Sequence, residues 1–160
     1  MASITFTRKN MLEALIIKEH ILRKWVEVLP PYSQENIEER CSRKYTSRDL
    51  LFFLIVKDLI EIYGMNLTTI AKFSQNLANH LFKPLSVSSP SYLRINILTT
   101  EVSTAIGVVT NEPMILLSLD EPLRNYRSYL GHPLDEPQQS SLAFGLEMLS
   151  ARKSELPRMQ

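Results

Sequence analysis

Glycine is scarce in this chain, with four among 160 residues. A phosphate cradle needs glycines where the backbone closes on an anion, so the scarcity weighs against a glycine-rich nucleotide loop. Cysteine is scarcer still. Cys41 stands alone, which excludes a disulfide within the chain and fits a reducing compartment. The three histidines are not paired at metal-ligand spacing. No nucleophile elbow is present, and His132 with Asp135 and Glu136 has no visible nucleophile beside it. The expectation is a protein with no catalytic residues, no metal and no cofactor, and not an enzyme.

Long hydrophobic runs are missing as well. The longest, residues 50–56, falls far short of the roughly 20 apolar residues that cross a bilayer. The first ten residues do not pass from basic to apolar as a secretory signal does. No membrane partner is expected, and the cytoplasm is the expected location. An excess of one charge is also lacking, since the formal net charge is +1. Up to Phe82 there are 11 Lys and Arg against 9 acids; from Lys83 onward, 7 face 8. Any nucleic-acid partner would be held by where the cations sit, not by their total.

What is present is enough apolar material for a core, 44% of residues with 8% aromatic. Thr7 is a suitable N-cap for a first helix to about Leu15. A second helix is expected over 18–29. Ile17, Ile21, Leu22, Trp25, Val26 and Leu29 share one face at the helical period, which makes Trp25 a core residue rather than a stacking one. Pro30 and Pro31 stop that helix. Residues 32–45 are dense in charge and read as a loop with a short hairpin, its second strand near Ser42 to Tyr45. Thr46 or Ser47 caps a third helix that runs through Tyr63, with Asp49 in its first turn. Leu50, Leu51, Leu54, Ile55, Leu59 and Ile62 are its expected buried set, and Gly64 its C-cap. Asn66 or Thr68 opens a fourth helix to about Phe82.

Pro84 and the serines of 86–91 mark a composition break. The expected organisation is a first, mainly helical domain over 1–83, a linker over 84–91, and a small α+β domain over 92–160. In the last part, 92–100, 105–110 and 114–119 are rich in Ile, Leu and Val and suggest a three-stranded meander. A short helix over 120–130 and a final one over 138–155 complete the pattern. The fold class is thus α+β, mainly helical at the N-terminal end.

Three segments of the first half carry a resemblance. They are Leu22-Arg23-Lys24-Trp25, then Arg43-Lys44-Tyr45-Thr46, then Gly64-Met65-Asn66-Leu67 with Ile70. In this order and spacing they resemble the winged helix-turn-helix domain of MerR-type transcription regulators. The resemblance covers about residues 5–82. The chain departs from the pattern at Lys24, where an aromatic is usual, and at Ile16, where a small residue or glycine is usual. Cys41 stands near the wing's usual glycine, and Pro84 comes where a long dimerising helix usually follows.

The resemblance implies a winged helix-turn-helix that binds double-stranded DNA. The second helix would enter the major groove with Lys18, His20, Arg23 and Lys24, and a wing of Arg43, Lys44 and Tyr45 would grip phosphates. Arg40 and Arg48 would extend that patch. Each residue also has a plainer reading. A basic helix face is most often only solvated, and the wing residues fit a polar hairpin whose tyrosine covers the core. His20 is a poor metal ligand, and Cys41 most simply an incidental thiol. The expected function is a sequence-specific regulator, bacterial or phage, acting as a homo-oligomer through the C-terminal half. The rivals are an accessory DNA-binding protein of a phage, plasmid or chromosome-organising system, and a protein-interaction adaptor that no longer binds DNA.

Overall fold

The computed structural model describes residues 5–34, 43–81, 92–105 and 112–131. The element order is β1 (Thr5–Phe6), α1 (Arg8–Leu15), α2 (Glu19–Val28), β2 (Tyr45–Thr46), α3 (Ser47–Glu61), α4 (Leu67–Leu81), β3 (Tyr92–Ile95), β4 (Val102–Ala105), β5 (Ile115–Ser118) and α5 (Asp120–Tyr129). The architecture is α+β, with five α-helices and two small antiparallel sheets among the described residues. No helix of the described residues is long and apolar enough to cross a membrane.

Two threonines start two of the helices by the same chemistry. The Thr7 hydroxyl accepts from the Asn10 amide, and the Asn10 side chain accepts from the Thr7 amide. Thr46 and Asp49 repeat this reciprocal cap on α3. Each pair satisfies two amides that the helix itself leaves without partners. At α4, Asn66 Oδ1 accepts from the Thr69 amide at 2.8 Å, so Asn66 rather than Thr68 serves as the cap. Gly64, at φ 64°, reverses the chain after α3, and the Tyr63 and Met65 amides turn back onto the Asp58 and Leu59 carbonyls.

Helix α3 is the axis of the molecule. Leu50 through Val56 are buried without interruption, so this helix is covered on every side rather than along one stripe. It packs against α1, α4, α5 and β2. Four aromatic rings meet Phe53: Trp25 of α2, Tyr32 of the turn after α2, Tyr45 of β2, and its neighbour Phe52. The expected buried set of α3 includes Ile62, which is instead 62% exposed, because the helix ends at Glu61 and the chain turns away.

The second sheet places β3 in the centre, in the order β4-β3-β5. A meander would put β4 there. The register runs Leu93↔Thr104 on one side and Leu93↔Leu117 on the other. Leu93 and Ile95 have no exposed surface, as suits a strand paired on both sides and covered by helices. Strands β3 and β5 are also shorter than expected. Asn96 Oδ1 accepts from the Leu98 and Thr99 amides, and Thr100 takes φ 60°, so 96–100 form the turn and β4 begins at Val102. Residues 106–110, the expected linker 84–91 and the expected final helix 138–155 lie outside the described residues. The elements on either side of 84–91 contribute to one core cluster, with Leu93, Ile95, Leu117 and Leu119 joining the side chains of α1 to α4. Polar ties cross the same boundary: Tyr129 donates to the Asn10 carbonyl at 3.1 Å, and Asn76 to the Thr100 carbonyl at 2.8 Å.

Candidate nucleic-acid interface

Helices α1 and α2 are joined by a three-residue turn whose first residue, Ile16, has φ 53° and is 84% exposed. That backbone favours glycine, and a β-branched side chain there is strained. The turn holds its shape from outside. The Lys57 ammonium of α3 donates to the Leu15 carbonyl at 2.8 Å, taking up an acceptor left over at the end of α1. Lys57 also faces Glu61 at 3.8 Å.

The orientation of α2 follows from its apolar side. Leu22 and Trp25 are buried, and the Trp25 ring lies nearly parallel to Phe53 with centroids 6.2 Å apart. Trp25 is therefore a core residue. With that side fixed on α3, the 3.6-residue period turns the polar side outward. Lys18, His20, Arg23 and Lys24 are all exposed, together with Glu19 and Glu27. Lys18 is the N-cap residue of α2 and gives no side-chain cap. His20, Arg23 and Lys24 share this helix, and Lys18 stands at its N-cap.

The predicted wing residues divide differently. Arg43 is half-buried and turned inward: Nη2 donates to the Tyr32 carbonyl at 3.1 Å, and the guanidinium lies over the Tyr32 ring at 5.5 Å. Tyr32 in turn donates its hydroxyl to Asp49 Oδ1 at 2.6 Å, while Asp49 Oδ2 accepts from the Thr46 amide at 2.6 Å. Arg43 thus belongs to a network that ties the end of α2 to the start of α3. Tyr45 is 2% exposed, its ring edge-on to Phe53. It packs on α3. Lys44 and Arg48 are exposed. Among the described residues, strand β2 pairs with β1, Phe6 opposite Tyr45, which brings Thr5 and Phe6 beside the predicted wing. Residues 35–42, where the first strand of the expected hairpin, Arg40 and Cys41 fall, lie outside the described residues.

Sequence reasoning passed over two residues here. Glu19 Oε1 lies 3.1 Å from Arg8 Nη1 and 3.6 Å from Arg23 Nη2. The Glu19 and Arg23 spacing of four was visible in sequence as a helical ion pair. The Arg8 partner, eleven residues away, was not.

A concavity lies at the far end of α3. Asp58, Ile62, Tyr63, Leu117, Ser118, Asp120, Glu121 and Arg124 line a cleft of about 340 Å³. Burial raises the Asp58 carboxyl above its ordinary value; Glu121 and Glu61 add to the rise, and Lys57 opposes it. Among the described residues no group of three His, Cys, Asp or Glu could hold a metal ion. Comparison with protein-family models, with curated proteins and with solved structures finds no match to this chain.

Proposed function

We propose that this chain binds double-stranded DNA as a sequence-specific transcription regulator of MerR-like type, acting in the cytoplasm. The observation that carries the reading is the docking of α2. Its apolar side is anchored through Trp25 on Phe53, and the opposite side presents His20, Arg23 and Lys24 on a helix held in place, with Lys18 exposed at its N-cap. A helix fixed in this way can enter a major groove without first being ordered, and arginine is the side chain best matched to guanine edges. Lys44 and Arg48, exposed around β2 and the start of α3, serve as phosphate contacts. Arg43 and Tyr45 contribute by shaping that segment. One such module reads few base pairs, so two copies on paired half-sites supply the specificity, joined through the C-terminal half.

Selection of bound duplexes from a random library tests this reading directly. The expected product is a pair of half-sites related by two-fold symmetry. Absence of binding to any duplex at low salt removes it.

One observation favours a protein-interaction role as the second reading. Ile62, Tyr63 and Leu116 expose apolar surface together, with Tyr63 donating to the Leu116 carbonyl at 3.2 Å. In this adaptor reading, duplex binding is missing and replacement of Leu116 by Glu abolishes capture of a protein partner.

A further inference from the structure

We propose that Arg8, the first residue of α1, belongs to the DNA-binding face, and that Glu19 is the positioning residue that holds it there. The inference rests on the DNA-binding reading. One carboxylate oxygen, Glu19 Oε1, accepts from Arg8 Nη1 at 3.1 Å and stands 3.6 Å from Arg23 Nη2. Two guanidinium groups from two helices therefore meet over the first turn of α2, the turn that also carries His20 and follows Lys18.

Stability does not account for this arrangement. The side chains of Arg8, Glu19 and Arg23 are 51, 53 and 64% exposed. Charges so well hydrated gain little from pairing, and ordering their long side chains costs rotamer entropy. The gain is geometric. Arg8 sits at the far end of α1, and without a partner its side chain would range through solvent. Glu19 fixes it beside Arg23 at the point where α2 begins. The carboxylate is itself steadied, because a negative charge in the first turn of a helix is favoured by the helix dipole.

A guanidinium carries five N–H donors; the Glu19 oxygen accepts one from Arg8 and faces Arg23 across 3.6 Å as an ion pair. Both arginines retain donors in a planar fork that matches two oxygens of a phosphate. Two arginines against one glutamate leave a net positive charge at this point. The ligand chemistry is that of a backbone phosphodiester next to the groove entered by α2. Arg23 reads or flanks the bases from the helix, while Arg8 grips the phosphate from the side.

The test titrates the full chain, over a range of salt, with the duplex recovered by selection and with random duplex. For Arg8→Gln the slope of log affinity against log salt should shrink by about 0.9, the share of one phosphate contact. Binding should weaken alike on both duplexes. Arg8→Lys should restore the slope. Glu19→Gln makes the protein more positive, so charge alone would tighten binding everywhere. Positioning gives the reverse on the selected duplex: weaker binding, and a slope reduced as in Arg8→Gln. Arg8→Ala serves as a second variant, and urea unfolding shows that each protein is folded. An unchanged slope and affinity in Arg8→Gln and Arg8→Ala would overturn the proposal, leaving a tie between helices. Tighter binding of Glu19→Gln to both duplexes would overturn the positioning role. Wild-type protein that binds neither duplex at low salt removes the DNA reading and this proposal together, an outcome distinct from any difference among the variants.

Discussion

The Lys57 ammonium of α3 closes the end of α1 by donating to the Leu15 carbonyl at 2.8 Å. The two residues are 42 positions apart, and their bond fixes the turn from which α2 departs. Lys57→Met keeps most of the side-chain volume and removes the donor. A hydrogen bond from a charged donor contributes roughly 1.5–3 kcal/mol. With the Lys57 side chain 21% exposed, about 1–2 kcal/mol is the expected loss in urea unfolding. Duplex affinity should fall with it, since α2 loses its fixed departure. A variant as stable as wild type would show that packing alone sets the turn.

Phe53 gathers rings from α2, the following turn and β2, and has no exposed surface. Phe53→Ala should cost about 3–5 kcal/mol in denaturant unfolding, from lost transfer energy and the cavity left behind. Tryptophan fluorescence would report the change from Trp25, the chain's single tryptophan. A loss below about 1 kcal/mol would mean that the surrounding rings close over the gap.

Arg43 and Lys44 are adjacent in sequence and should behave oppositely. Arg43→Gln loses the contact with the Tyr32 carbonyl and ring, and the expected result is a drop in melting temperature. Lys44→Gln should leave the melting temperature unchanged and reduce the salt dependence of duplex binding by about one phosphate contact. If Lys44→Gln binds with an unchanged slope, the exposed part of this segment lies away from DNA.

Asp58 has a raised pKa in the folded protein, chiefly through burial and then through Glu121. A carboxyl with a higher pKa folded than unfolded binds more protons in the native state. Its contribution is complete below the ordinary value of 3.8 and is lost as pH rises through the folded value. Asp58→Asn removes the buried charge, so it should stabilise the protein at neutral pH. The advantage over wild type should disappear as pH falls below 3.8. An equal difference at both ends of the pH range would refute the assignment.

Much of the local structure was legible in the sequence. Thr7 before α1, the threonine-serine pair at 46–47 with Asp49 in the first turn, and Gly64 after α3 act over a few residues, and residue type alone exposes them. The outward set on α2 was legible for the same reason, because Leu22, Trp25 and Leu29 repeat at the helical period. What escaped depends on partners far along the chain. The inward turn of Arg43 requires Tyr32, and the placement of Arg8 requires the turn at Ile16. The order of the second sheet depends on the choice of β3 by β5. Alternating apolar residues show that strands exist and leave open which ones pair.

The bond between the Tyr63 hydroxyl and the Leu116 carbonyl has a consequence for solubility. Among the described residues β5 pairs only with β3, and such an outer strand is a template onto which another extended chain can grow. The Tyr63 side chain, just past the end of α3, already bonds a carbonyl of this outer strand. The phenol acts as a stopper, and Tyr63→Phe should leave the fold in place while shortening the time to fibrillar aggregation on prolonged incubation.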